Sequence, residues 1–195
     1  MDSKTNFLLI IAILAVVVSI ANLGIVYNKV DKITGFQVTD TGDVNVTINS
    51  EASIEFTDAI IEFGAGSVND ASSSAILESN NSVVGGDWTP IDDGLILLNK
   101  GNVDVNLTLT SAGSFSGFAD YDWKVTDNET DSCTDYIETE DAWFDASDSA
   151  INVCGNFTYG DDADTLRIDV YLEIAEGMAP ATYTDTITAT GTALV

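Results

Sequence analysis

The chain has no histidine, two prolines, two cysteines and only six lysines and arginines in 195 residues. Each scarcity excludes something. Without histidine there is no Ser-His-Asp or Cys-His nucleophile arrangement, and the usual imidazole ligands of hydrolytic zinc are missing. Two thiols alone make a poor zinc set. No G-x-S-x-G, P-loop or G-x-G-x-x-G occurs. Paired carboxylates can run glycoside hydrolysis. In a chain with 32 Asp and Glu, though, some pair falls close whatever the function. The reading is therefore a protein that is not an enzyme.

The shortage of base is concentrated in one part of the chain. Beyond Lys32 the basic residues are Lys100, Lys124 and Arg167, against thirty Asp and Glu. With a net charge of −26, nucleic acid and anionic lipid headgroups are repelled, so no nucleic-acid partner is expected. Clustered acid on a well-solvated surface also suits high salt, where screening relieves self-repulsion.

The opposite composition opens the chain. Residues 7–26 read FLLIIAILAVVVSIANLGIV, without a charge and with only Ser19 and Asn22 polar. As a helix this run rises about 30 Å, one hydrocarbon core. It lacks the polar face of a soluble core helix. A signal peptide is the rival reading, with Lys4 as its basic region and Ser19 with Ala21 as a small-x-small site. A signal's apolar region is usually about 7–15 residues, so the length favours a retained anchor. Lysines flank both sides and leave orientation open. The organisation expected is a flank over 1–6, a transmembrane or fibre-core helix over 7–26 and a connector over 27–35. An acidic extracytoplasmic domain then occupies 36–195, long enough for a sizeable core.

After Gly35 the apolar period changes to two. Val44, Val46 and Ile48 alternate with Asn45, Thr47 and Asn49. Val103, Val105, Leu107 and Leu109 alternate with Asp104, Asn106 and Thr108. Leu166, Ile168, Val170, Leu172 and Ile174 alternate with Arg167, Asp169, Tyr171 and Glu173. Such alternation marks strands with one dry and one wet face. Residues 54–63 change apolar phase midway, which predicts a bulge or two short strands. The run 95–98, then Asn99-Lys100-Gly101-Asn102, predicts a hairpin into the strand from Val103, with Gly101 at positive φ. Residues 121–126, 151–159 and 183–190 are further strands, the last with Thr184, Thr186, Thr188 and Thr190 in one phase. Residues 67–86 read as a long surface loop with only 75–77 turned inward. No segment of helical period follows Gly35. The fold class is all-β, an immunoglobulin-like or jelly-roll-like sandwich preceded by one N-terminal apolar α-helix.

Cys133 and Cys154 form a candidate disulfide, worth roughly 3 kcal/mol for a loop of this length and pinning residues 134–153 onto the sandwich. Five N-x-S/T sequons begin at Asn45, Asn80, Asn106, Asn128 and Asn156. Both features fit an exported domain. Asn45 and Asn106 lie in the polar phase of their strands and should point outward. Calcium is the one candidate ion. Clustered oxygens occur at Asp127-Asn128-Glu129-Thr130-Asp131, at Asp120 and Asp122, and best at Asp161, Asp162 and Asp164 after Gly160. None fits an EF-hand loop, and Asp on turns is common without metal. On the helix, Ala12, Ala15, Ser19 and Asn22 fall on one stripe. This is a candidate self-association face for an oligomer or filament, although a lone spanning helix tolerates small residues anywhere. Trp88, Trp123 and Trp143 read as packing residues rather than a ligand platform.

The segment Asn99-Lys100-Gly101-Asn102-Val103-Asp104-Val105-Asn106-Leu107-Thr108 resembles immunoglobulin-like β-sandwich domains of prokaryotic surface proteins. So does the ending Ala181-Thr182-Tyr183-Thr184-Asp185-Thr186-Ile187-Thr188-Ala189-Thr190-Gly191. The layout, an apolar helix joined to an acidic, glycosylatable β domain, is similar to archaeal pilins and archaellins. The resemblance implies a membrane-anchored structural protein at the cell surface. Its alternatives are a filament subunit whose helix packs in a fibre core and a calcium-dependent adhesion or binding module.

Overall fold

The structure, a computed structural model, describes residues 3–30, 46–113, 115, 117–137 and 140–194. Contacts divide the chain into two units, Met1–Thr47 and Ile48–Val195. In the first, helix α1 spans Ser3–Val30. It contains the expected run and continues past it, through the first residues of the expected connector. Its window Asn6–Leu23 has a mean hydropathy of 2.6 and is long and apolar enough to cross a membrane. None of that window is buried.

The second unit is all-β, and its strands are antiparallel. They are β1 (Ile54–Asp58), β2 (Ser74–Glu78), β3 (Ser82–Val84), β4 (Leu95–Asn99), β5 (Val105–Ser111), β6 (Asp120–Asp127), β7 (Phe144–Asp145), β8 (Ile151–Phe157), β9 (Thr165–Ala175) and β10 (Ile187–Ala193). Among the described residues, seven of them form one sheet and β10-β5-β8 the other.

The long strand β9 organises the large sheet. One edge pairs with β6 along most of its length, from Asp120 opposite Glu173 to Asp127 opposite Leu166. Its other edge is shared. β4 pairs with Thr165–Ile168, and β2 pairs with Tyr171–Ala175. Between them Ser79 bridges, its N–H donating to the Val170 carbonyl and its hydroxyl accepting from the Val170 N–H. The alternation in β9 turns Leu166, Ile168, Val170 and Leu172 inward. There they meet Leu77, Leu95, Leu97, Trp123 and Val125 of their own sheet and Val105, Leu107, Leu109, Val153 and Phe157 of the other. Burying such side chains contributes about 1.5–3 kcal/mol each.

Four strand expectations need correction. The alternation of Val44, Val46 and Ile48 makes no strand over residues 46–50, and Val46 and Ile48 are each 82% exposed. Period two marks a chain able to pair, but pairing needs an edge, and here it starts at Ile54 on β4. Val44 and Asn45 lie outside the described residues. The stretch 67–86 is not one loop. It holds the hairpin β2–β3, whose turn uses Asn81 at φ 75°. The last strand starts at Ile187 rather than Tyr183, because the Asp185 side chain is bound to Ser111 and Tyr121 just before it.

The fourth correction concerns the expected hairpin. β4 and β5 belong to different sheets, so residues 99–104 carry the chain from one layer to the other. Asn99 directs the crossing. It is fully buried, donates Nδ2 to the carbonyls of Val103 and Phe157 at 3.1 Å each, and accepts from the Gly101 N–H at 3.2 Å. Gly101 does not sit at positive φ. It is glycine because a Cβ there would lie 2.3 Å from the Glu51 carbonyl oxygen. In β1 the expected phase change is a bulge between Phe56 and Asp58.

Candidate functional site

The two sheets are unequal in width. Leu77, Leu95, Val170 and Leu172 of the large one line a space together with irregular chain over 59–66 and 180–186. A cleft of about 780 Å³ opens there. One wall is an aromatic cluster packed edge to face. Phe115 meets Phe118 at 4.8 Å and Tyr121 at 5.0 Å between ring centres, and Phe118 meets Tyr183 at 5.3 Å. Edge-to-face contact of this kind holds each ring by its neighbour's quadrupole. Trp88 also lines the cleft. Its indole lies so close to backbone that a Cβ on Gly66 would fall 2.3 Å from it and one on Gly86 2.7 Å from it.

A hydrogen-bond relay ends in this cleft. The Trp123 indole N–H donates to the Tyr121 hydroxyl at 3.0 Å. That hydroxyl donates to Asp185 Oδ2 at 2.9 Å, and Ser111 Oγ donates to the same oxygen at 2.6 Å. Burial, together with the charge of Asp185, holds the Tyr121 hydroxyl far above the ordinary phenol range, so it stays protonated as a donor.

A second acidic group lies where β6 meets β7. Among the described residues, Asp120, Asp122 and Asp145 form the trio whose carboxylate oxygens lie within 4.8 Å of one another. Sequence pairs Asp120 with Asp122. Asp145 joins them because β7 pairs in register with β6, setting Asp145 opposite Asp122. Burial, then the charges of Asp120 and Asp145, push Asp122 up to about 6. Counted at one oxygen each, these three carboxylates supply three of the six to eight oxygens that calcium takes. The chemistry the crowding supports directly is proton uptake by Asp122. Asp161, Asp162 and Asp164 do not form such a trio. Asp164 instead meets Glu129, whose Oε2 accepts from its N–H at 3.1 Å.

The wet face of β9 holds a site that alternation does not reveal. Asp169 belongs to the polar phase, yet is only 2% exposed. Arg167 Nε donates to it at 2.9 Å, Ser79 Oγ at 2.9 Å, and Lys124 Nζ lies 4.0 Å away. Lys124 also reaches Asp141 at 3.0 Å and lies 4.9 Å from the Trp143 ring centre, while Arg167 reaches Asp92 at 2.6 Å. Two of the three bases beyond Lys32 are thus committed to one buried carboxylate. The third, Lys100, pairs with Glu55 on the surface.

Cys133 and Cys154 are joined, with Cα atoms 6.0 Å apart. The bond fastens residues 132–137 along the outer edge of β8. There Thr134 N–H donates to Asn156 O and Gly155 N–H to Asp135 O, and Thr158 N–H donates to Ser132 O. Gly155 permits the approach, since a Cβ would lie 2.4 Å from Asp135 Oδ2.

The sequon asparagines fall in different settings. Asn106 sits on the outer face of β5 between the buried Val105 and Leu107. Asn128 is exposed and donates to Thr165 Oγ1 at 3.1 Å. Asn156 donates to Thr134 Oγ1 at 2.8 Å. Asn80, with its amide turned to satisfy both neighbours, donates to Glu78 and accepts from Lys124. Asn45 lies outside the described residues. Ala12, Ala15, Ser19 and Asn22 are all exposed on α1. Trp123 is core, Trp143 lies over Lys124, and Trp88 faces the cleft.

Comparison with protein-family models, with curated proteins and with solved structures yields no match for this chain.

Proposed function

We propose that the chain is a membrane-anchored structural protein of the cell surface, with α1 in the bilayer and the acidic β unit on the extracytoplasmic side. One observation carries the reading. Leu8, Leu14, Ile20 and Leu23 of α1 are each exposed by more than 60%, on a helix with no charged side chain from Phe7 to Leu23. Leaving that much apolar surface in water costs about 25 cal/mol per Å², so the helix needs an apolar surrounding. The disulfide supports an oxidising compartment for the β unit. The resemblance to prokaryotic surface sandwiches agrees with both. Among the described residues Asn106 is the sequon best placed for a glycan, since Asn80, Asn128 and Asn156 each hold a neighbouring side chain.

A second reading replaces lipid by copies of α1 in a fibre core. It is favoured by the exposed stripe Ala12, Ala15, Ser19 and Asn22, where small residues allow close helix approach. Alkaline carbonate extraction with intact mass of the native chain tests the pair. An anchor stays in the membrane pellet with residues 7–26 retained. A filament subunit leaves the cells on shearing, as fibres. Soluble monomer lacking the apolar run defeats both readings.

A further inference from the structure

We infer that the outer edge of β10 receives a second copy of this chain, which adds its residues 46–50 there as an extra strand. The interface joins β units and holds whether α1 lies in lipid or in a fibre core. The first observation is the edge itself. At the two ends of the β10–β5 ladder, Ala112 N–H donates to Thr186 O and Leu194 N–H donates to Asp104 O. Successive residues of an antiparallel ladder turn their backbone groups to opposite sides. Thr188, Thr190 and Thr192 therefore bond to β5, while Ile187, Ala189, Gly191 and Ala193 turn theirs outward. Among the described residues, nothing bonds to those outward groups. Other edges are blunted in ways that suppress pairing. β1 carries Glu55, Asp58 and a bulge, β3 and β7 have three and two residues, and residues 132–137 run along β8. β10 has seven residues, without charge or proline.

The second observation is a strand pattern without a sheet. Residues 46–50 read Val-Thr-Ile-Asn-Ser, alternating, uncharged and opening with three β-branched residues. Val46 and Ile48 are each 82% exposed. Asn102 holds the base of the segment. Its Nδ2 donates to Asn49 O at 2.9 Å, its Oδ1 accepts from the Glu51 N–H at 2.7 Å, and its own N–H donates to Glu51 O at 3.0 Å. An anchored base leaves less freedom to lose on pairing. Five residues at about 3.3 Å each fit within the length of β10. Charge selects the occupant. At −26 per chain, most faces of two copies repel, but these two stretches meet without like charges opposite each other. Val46 and Ile48 then join the phase of the half-buried Ile187 and Ala189, and Thr47 joins the exposed threonines. A strand given at one place and received at another makes a head-to-tail contact, which continues from copy to copy.

The test uses the full chain in neutral detergent, which keeps α1 covered. Chains carrying Thr47→Cys are mixed with chains carrying Thr188→Cys, Thr190→Cys or Thr192→Cys, and the mixture is oxidised. The native cysteines are already joined to each other, so the new thiols report the contact. Mass spectrometry of unreduced peptides should find position 47 of one chain linked to a β10 position of the other. Val84→Cys, on the exposed end of β3, should give only background when it replaces the β10 variant. Ala189→Pro removes an outward N–H and leaves the bonds to β5, so linkage should be lost. Ile48→Asp changes an exposed side chain and should also abolish linkage, which serves if the proline variant does not fold. Linkage no greater than with Val84→Cys overturns the proposal, and so does linkage that survives Ile48→Asp. A chain carrying both Thr47→Cys and Thr190→Cys that links only within itself overturns it as well.

Discussion

Asn99 donates its side-chain amide to the carbonyl of Phe157 at 3.1 Å, tying the last residue of β4 in one sheet to the last residue of β8 in the other. The same amide reaches Val103, and Asn99 Oδ1 accepts from Gly101. One buried side chain therefore satisfies three backbone groups at the point where the chain changes layers. Asn99→Ala takes that donor from the Val103 and Phe157 carbonyls, while the Gly101 N–H keeps the Ser53 carbonyl at 3.1 Å. The substitution should cost about 2–4 kcal/mol, read as a lower midpoint in a urea titration of the β unit's tryptophan signal.

The network around Asp169 makes a contrast with the surface pair. Asp169→Ala leaves Arg167 and Lys124 facing each other's charge with their shared partner gone. A loss of about 3 kcal/mol is expected, with little dependence on salt. Glu55→Gln removes the partner of Lys100, and both of those side chains are about half exposed. Its effect should stay within about 0.5 kcal/mol and shrink further as salt rises. Thermal melts of the two variants at low and high salt check both statements.

How far these contacts were legible differs from one to the next. The strand at 165–175 and the buried phase of 105–109 follow from alternation, because a residue every second position must face the same side of a sheet. Alternation is silent about what covers the other side. Asp169 reads as wet until Ser79, Lys124 and Arg167 are placed over it by pairing from distant strands. Asn99-Lys100-Gly101-Asn102 reads as a turn, and the chain bends there. Whether a turn joins two strands of one sheet or two sheets depends on which edges β4 and β5 find. The cleft was least legible of all, since residues from 56 to 187 line it and none carries a local motif. Asp120 and Asp122 were visible as neighbours, whereas Asp145 needed the β6–β7 register.

The acidic trio gives the fold a pH dependence with a definite sign. Asp122 is raised to about 6 by burial, then by Asp120 and Asp145. The folded chain therefore binds this proton more tightly than the unfolded chain. Its contribution to stability is present below the ordinary carboxyl value near 4 and is lost as pH rises through about 6. Lowering the pH from 7.5 to 5.5 should raise the melting temperature, and Asp122→Asn should flatten that rise. An unchanged slope in the variant would mean that other carboxylates set it.

The packing of Trp88 predicts an unusual sensitivity to one methyl group. Gly66→Ala puts a Cβ 2.3 Å from the indole, inside any real contact. The ring must move toward the cleft, at about 1–3 kcal/mol. Red-shifted tryptophan emission with retained far-ultraviolet dichroism is the expected signature.

The disulfide should matter most locally. Removing it as Cys133→Ser with Cys154→Ser is expected to cost about 2–5 kcal/mol. It should also raise amide hydrogen exchange first at Thr134, Gly155 and Thr158, whose bonds run along the outer edge of β8.

The proposed anchoring puts α1 in a membrane and the acidic β unit on the outside. The direct test is protease added to intact cells, followed by mass spectrometry of membrane and supernatant under non-reducing conditions. Peptides from the β unit should leave with the supernatant, with those bearing Cys133 and Cys154 still linked. A fragment containing Asn6–Leu23 should stay in the membrane pellet. A β unit untouched until the cells are broken, with both cysteines as free thiols, would contradict it.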